Sequence, residues 1–184
     1  AEYAMEVNAI FRRHGTDGTW YAHASVGCLH VRPALNLRDP EDIALVRRIA
    51  EETHEVVRRF GGTHSGEHGD GILRSEFLPA MVGEQVTRAY REVKDTMDPL
   101  GILNPGKIVD APKMDEPSLF RFHPQYDEQR AEEVLPTVLS WEPGGLLGAT
   151  ERCNNNGACR KTDPGIMCPS FRATRQEQHS TRGR

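Results

Sequence analysis

The sequence predicts an α+β fold in which an antiparallel sheet is covered by helices. Three observations carry that expectation. Apolar residues recur at helical spacing near the N-terminus, β-favouring residues then alternate loosely around Gly27, and two further helical stripes follow. Elements thus run helix, strands, helix, short extended segment, helix, which is not the strand–helix repetition of a doubly wound sheet.

Within Glu2 to Phe11 the residues Tyr3, Val7, Ile10 and Phe11 share one helical face, and Gly15 and Gly18 end the pattern. Thr19 to Val31 reads as two short strands meeting at a bend near Gly27. Asp39 stands as an N-cap before Pro40 at the first helical position, with Glu41 and Asp42 adding negative charge to the first turn. Ile43, Val46, Ala50, Thr53, Val57 and Phe60 then step by three and four until Gly61 and Gly62. That stripe is expected to face the sheet and to leave Arg47, Arg48, Glu51, Glu52, Arg58 and Arg59 in water. A glycine-dense segment from Gly61 to Gly71 leads into another helix, whose face is Val86, Tyr90, Val93 and Met97 and which Pro99 and Gly101 end. Residues 1–110 therefore form the expected folded part. Residues 111–150, with Pro112, Pro117, Pro124, Pro136 and Pro143 and little periodicity, read as an extended linker lying on another surface. Residues 151–184 hold three of the four cysteines and read as a separate segment.

Composition narrows the function. The chain has 184 residues, enough for one domain or one domain with a remainder, and its ends read as those of a piece of a longer polypeptide. Mean hydropathy is −0.61, and no apolar run is long enough for a transmembrane helix. Lys plus Arg number 23 against 27 Asp plus Glu, so the basic field that sequence-independent nucleic-acid binding needs is missing. No signal or transit peptide is visible, and the expected location is the cytoplasm.

Two constellations carry chemistry. His23-Ala-Ser-Val-Gly-Cys-Leu-His30 and Ser65-Gly-Glu67-His68-Gly-Asp-Gly71 together offer imidazole nitrogens and a carboxylate, donors that suit a divalent ion such as zinc or manganese. On one straight strand a spacing of seven points His23 and His30 to opposite faces, so a shared ion requires the bend at Gly27. The competing reading is a polar turn with ordinary core histidines. The second constellation is Cys153-x5-Cys159-x8-Cys168-Pro169. It fits iron–sulfur ligation, in which proline follows the last cysteine of a run. It also fits zinc with His179 as fourth ligand, or disulfides. Gly101 to Lys107 imitates a nucleotide P-loop, but Ile108 stands where Ser or Thr is required and a helix precedes it instead of a strand.

The motifs in this order, His23 to His30, Ser65 to Gly71, and Asp98-Pro-Leu-Gly-Ile-Leu-Asn104-Pro-Gly-Lys107, resemble the C-terminal substrate domain of FAD-linked oxidases of the vanillyl-alcohol-oxidase type, near the D-lactate, glycolate and D-2-hydroxyglutarate dehydrogenases. Cys153 to Arg184 resembles the large bacterial subgroup fused to a ferredoxin-like 4Fe-4S module. The resemblance implies a partial ferredoxin-like substrate domain, followed by the linker and the start of that iron–sulfur module. It implies His23, His30 and Glu67 as metal ligands, His68 as the base, and Asn104 close to FAD, most of which an N-terminal domain outside this chain would bind. Cys153, Cys159 and Cys168 would be cluster ligands. The implied substrate is a small 2-hydroxy acid, with electrons leaving through iron–sulfur centres to an acceptor in the cytoplasm or at the membrane surface. Many relatives read Gly-Asp-Gly-Asn where this chain has Ser25-Val26-Gly27-Cys28. Arg32, two residues after His30, is placed to pair with a substrate carboxylate. The alternative is a non-catalytic cap with a zinc-binding cysteine tail.

Overall fold

The N-terminal apolar spacing closes as α1 (Glu2–Arg13), which buries Val7, Ile10 and Phe11. The computed structural model describes residues 1–122, 126, 137–141, 144–163, 165, 167–180 and 183, in two units divided between Asp127 and Glu128. In the first unit α1 is followed by an antiparallel hairpin, β1 (Gly18–His23) and β2 (Cys28–Pro33), joined by a 3-10 turn over Ala24–Val26. Gly27 takes a left-handed φ of 67° after that turn, which is the bend the sequence predicts.

The core is built from α1 and α2 (Pro40–Arg59): Val7, Ile10, Phe11, Ile49 and Val56, with Tyr3, Trp20, Val31, Leu35 and Leu45 packed around them. Trp20 Nε1 donates to Asn8 Oδ1 at 2.8 Å, so the partly buried indole keeps its hydrogen bond. A Cβ on Gly18 would lie 2.2 Å from the Phe11 ring, so the strand can start there only with a residue that has no side chain. Asp39 caps α2 as expected, accepting from the Glu41 amide at 2.9 Å.

Two expectations about the helices need correction. The inward stripe of α2 runs through Leu45, Ile49, Val56 and Val57 with His54, and Phe60 is exposed. The helix packs on more than one side, so a single stripe of steps cannot name its buried set. Arg47, expected in water, has a side chain only 21% exposed: both oxygens of Glu76 (3.0 and 2.8 Å), Glu51 at 2.8 Å and Asp115 at 2.7 Å surround its guanidinium. The Glu76 carboxylate, more than any other group, holds the Arg47 pKa above its ordinary value. Glu76 also accepts from the Met114 amide at 2.6 Å, and Met114 is buried. Met114 and Asp115 therefore pack against α2 and the segment between the next two helices.

Those helices are α3 (Gly71–Ser75) and α4 (Leu78–Met97). Gly83 breaks α4 with a left-handed φ of 82°. The expected face of α4 is open among the described residues, with Val86, Tyr90, Val93 and Met97 all exposed. After α4, Asp98 accepts from the amides of Ile102 (2.9 Å) and Leu103 (2.8 Å) and pairs with Lys94, and that ammonium holds its carboxyl below the usual range. This closes the Gly101 to Lys107 loop on itself behind a helix, so its likeness to a P-loop is one of letters only. Asn104, Ile108 and Asp110 take left-handed φ values of 48°, 65° and 52°. The Ile108 conformation is costly for a β-branched residue, and its amide is held by Ser75 Oγ at 3.0 Å.

In the second unit, α5 (Gly145–Glu151) and α6 (Pro169–Thr174) are short, with 3-10 turns at Ala158–Arg160 and Glu177–His179. Pro124, Pro136, Pro143 and Arg184, which the linker and module readings use, lie outside the described residues. Among the described residues no helix is long and apolar enough to cross a membrane.

Candidate metal centre

The hairpin register decides which side chains meet. His23 pairs with Cys28, Tyr21 with His30, and Thr19 with Arg32. Residues directly opposed in an antiparallel pair project from the same face, and so do residues two apart on one strand. Tyr21, His23, Cys28, His30 and Arg32 therefore share one face, while Trp20 and Val31 on the other enter the core. The chain reversal between His23 and His30 removes the parity objection that a single strand would raise.

Glu67 reaches this face from the glycine-dense loop. The loop is closed at its base by His64 Nε2 and Asp70 Oδ1, 2.7 Å apart, with the His64 side chain only 8% exposed. The His64 ring packs 5.1 Å from that of His54, which in turn lies 5.0 Å from Phe77. Burial, and then the charge of His64, holds the His54 pKa below its ordinary value. Gly66 brings the loop against the hairpin, since a Cβ there would stand 2.7 Å from Cys28 Sγ. A cavity of about 460 Å³ lies beside the loop, between Thr63 to Glu67 and the first turns of α4 at Leu78, Met81 and Val82.

The result is a cluster centred on one carboxylate. Glu67 Oε1 lies 2.9 Å from His30 Nε2 and 2.9 Å from His68 Nε2, and Oε2 lies 3.6 Å from His23 Nε2. The His23 and His30 rings meet edge to face at 5.1 Å. Ligand atoms of His23, His30 and Glu67 all lie within 4.8 Å of one another, the only such group among the described residues. Two imidazole nitrogens and one carboxylate oxygen on one side of a hairpin, open to solvent on the other, fit a divalent ion with free positions for a substrate. His68 is 77% exposed and stands at the mouth of this group.

The other anticipated residues fall in three places. Arg32 lies on the cluster's own face, its guanidinium 5.4 Å above the Tyr21 ring. Asn104 lies in the loop after α4, its side-chain oxygen accepting from Lys107 Nζ at 2.7 Å. In the second unit no disulfide joins any cysteines. Cys153 Sγ accepts from the Asn155 amide at 3.4 Å, and Cys168 Sγ, buried, donates to the His179 carbonyl at 3.2 Å. His179 thus meets Cys168 through its backbone, and its ring Nδ1 lies 2.9 Å from Thr174 Oγ1. Sequence reasoning missed the His64–Asp70 clasp and the approach of Cys28 to His30. The identities were in view, but only the folded loop shows which of them touch.

Comparison with known proteins bears on the family. A family model described as FAD linked oxidases, C-terminal domain, matches residues 1–108. The chain is 35% identical over 190 residues to a D-2-hydroxyglutarate dehydrogenase of Escherichia coli strain K12, covering 100% of this chain and 18% of that protein. Its identity to the D-2-hydroxyglutarate dehydrogenase of Pseudomonas putida is 36% over 192 residues, covering 100% of this chain and 18% of that one. A D-lactate dehydrogenase of Anaerostipes hadrus is 35% identical over 108 residues, 57% of this chain and 21% of that protein. No solved structure matches. The chain spans about 18% of the length of the first two relatives. With a family model matching residues 1–108, more than half of its length, the chain belongs to the FAD-linked oxidases, residues 1–108 falling in their C-terminal domain.

Proposed function

We propose that this chain supplies the substrate-binding wall of an FAD-dependent dehydrogenase that oxidises a D-2-hydroxy acid to the 2-oxo acid. The observation that carries the reading is the convergence of His23, His30 and Glu67 within 4.8 Å on one face of the hairpin. His23 Nε2, His30 Nε2 and a Glu67 oxygen would hold a divalent ion, zinc or manganese. When bound, the ion supplies positive charge that favours the deprotonated hydroxyl of the substrate, and FAD supplies the two-electron oxidant. His68, exposed and 2.9 Å from Glu67, takes the hydroxyl proton at its free imidazole nitrogen. Glu67 orients that ring and lies against His30 at the same time. Arg32, on the same face, pairs with a carboxylate of the substrate through its forked guanidinium, and the Tyr21 ring steadies it.

Asn104 contributes to the FAD side of the pocket, its backbone already in the left-handed conformation. FAD is held mainly by other parts of the full-length protein. Cys153, Cys159 and Cys168, which do not form a group with ligand atoms within 4.8 Å of one another, would contribute thiolates to a 4Fe-4S cluster together with a ligand elsewhere in the protein, and such a cluster would supply one-electron transfer. Residues 1–110, 111–150 and 151–184 are then substrate domain, connection and the start of the iron–sulfur module.

The test uses the full-length protein. Anaerobic mixing with D-2-hydroxyglutarate or D-lactate should bleach the flavin in the wild type. Glu67→Ala should lose the divalent ion and slow bleaching at least 100-fold, and His68→Ala should slow it while retaining the ion. Wild-type bleaching rates in both variants would sink the assignment.

A further inference from the structure

We infer that Cys28 is a fourth protein ligand of the ion at the His23, His30 and Glu67 site, so that the donor set contains sulfur and selects zinc over manganese. The inference rests on the metal reading above and adds to it a residue that the resemblance does not supply.

Four observations converge on the sulfur. Cys28 is directly opposite His23 in the hairpin register and two residues before His30, so its side chain leaves the sheet on the face of both imidazoles. Its Sγ lies 3.8 Å from His30 Nε2, the nitrogen that also lies 2.9 Å from Glu67 Oε1. Zinc–sulfur and zinc–nitrogen bonds of about 2.3 and 2.0 Å at a tetrahedral angle put the two donor atoms about 3.5 Å apart, close to the spacing found. Finally, the residue beside Glu67 is Gly66, where a Cβ would stand 2.7 Å from the sulfur. The loop that delivers the carboxylate is thus shaped to leave room for this thiol.

Cys28 stands outside the set of three residues whose ligand atoms lie within 4.8 Å of one another. Completing the shell takes a movement of the sulfur and the other donors towards one another, in the rotamer that already puts Sγ 3.8 Å from His30 Nε2. On binding, the thiol proton passes to solvent and the sulfur bonds the ion as thiolate. Thiolate favours zinc, whereas carboxylate and water oxygens suit manganese. With four protein ligands, a substrate oxygen would have to join as a fifth, a coordination number that zinc accepts.

The experiment is X-ray absorption at the zinc edge on the full-length protein loaded with Zn²⁺, compared between wild type, Cys28→Ser and Cys28→Asn. The wild type should show a sulfur neighbour at about 2.3 Å, and both variants should lose that contribution at this site and bind Zn²⁺ at least 10-fold more weakly. The variants' affinity for Mn²⁺ should change less than threefold. Comparing variants separates this sulfur from any zinc held by Cys153, Cys159 or Cys168. A wild-type shell of nitrogen and oxygen alone, or a sulfur contribution that survives both substitutions, overturns the inference and leaves the proposed function standing. Absence of any bound ion in the loaded wild type overturns both.

Discussion

His30 Nε2 and Glu67 Oε1 lie 2.9 Å apart, although one belongs to a strand and the other to a loop beyond the next helix. The same oxygen lies 2.9 Å from His68 Nε2, and the other carboxylate oxygen 3.6 Å from His23. One side chain therefore gathers three imidazoles, from β1, from β2 and from its own loop. The position of Glu67 depends on everything that holds its loop, and that dependence makes the site testable from outside it.

The clasp at the base of the loop is the first place to look. His64 and Asp70 are separated by 2.7 Å and mostly buried, and the residues between them carry Glu67 and His68. Asp70→Asn should lower the unfolding free energy of the first unit by about 1–3 kcal/mol in urea titrations, because a charged acceptor beside a buried imidazole is lost. The same variant should bind Zn²⁺ about 10-fold or more weakly in a competition assay with a chromophoric chelator.

Arg47 ties α2 to two later segments through Glu76 and Asp115, with distances of 2.8 and 2.7 Å. Lysine has one ammonium and cannot reproduce the fork that serves both oxygens of Glu76. Arg47→Lys is expected to cost about 1–3 kcal/mol in chemical denaturation. It should also release the stretch around Met114, so trypsin should cut after Lys113 faster than in the wild type.

Packing of α1 against the hairpin can be probed at one atom. A methyl group on Gly18 would stand 2.2 Å from Phe11 Cε2, and Phe11 is buried in the core. Gly18→Ala should destabilise the first unit by about 1–3 kcal/mol, as overpacking does, seen as a lower thermal midpoint. The companion Phe11→Leu, which makes room, should tolerate Gly18→Ala better than the wild type does.

His54 gives the unit a pH dependence. Burial, with the neighbouring His64 charge, keeps its pKa below the ordinary value, while Glu55 pulls weakly the other way and Arg58 adds to the depression. The folded state therefore binds a proton less readily than the unfolded chain, whose histidine titrates near pH 6.5. Stability from this group is complete above that pH and declines as the pH falls through it towards the depressed folded value. Denaturation midpoints should drop as the pH falls below about 6.5, and His54→Gln should flatten that slope. An unchanged slope in the variant would assign the effect to other groups.

Much of this was legible in the chain itself. The start of α2 was readable because a cap acts within one turn: Asp39 bonds the amide two residues on, and Pro40 needs no partner. The hairpin was readable from β-favouring residues around a glycine that takes a positive φ. The identities of His23, His30, Glu67 and His68 were readable because few residue types bind metals, and these stand among glycines. The open face of α4 was not, since Val86, Tyr90, Val93 and Met97 show the spacing of a packed helix whatever lies against it.

The sequence by itself determined α1, the hairpin, α2 with its Asp39 cap and α4, and the residue types of the site, all of which depend on neighbours within a few positions, whereas the short helices α3, α5 and α6 were not legible in it. Only the tertiary structure decided that His23 and His30 share a face, that Arg47 is enclosed by carboxylates from two later segments, and that Cys28 points at the nitrogen Glu67 also meets. Those facts come from strand register and loop docking. Both are settled by contacts between distant parts of the chain, which no local pattern of residues contains.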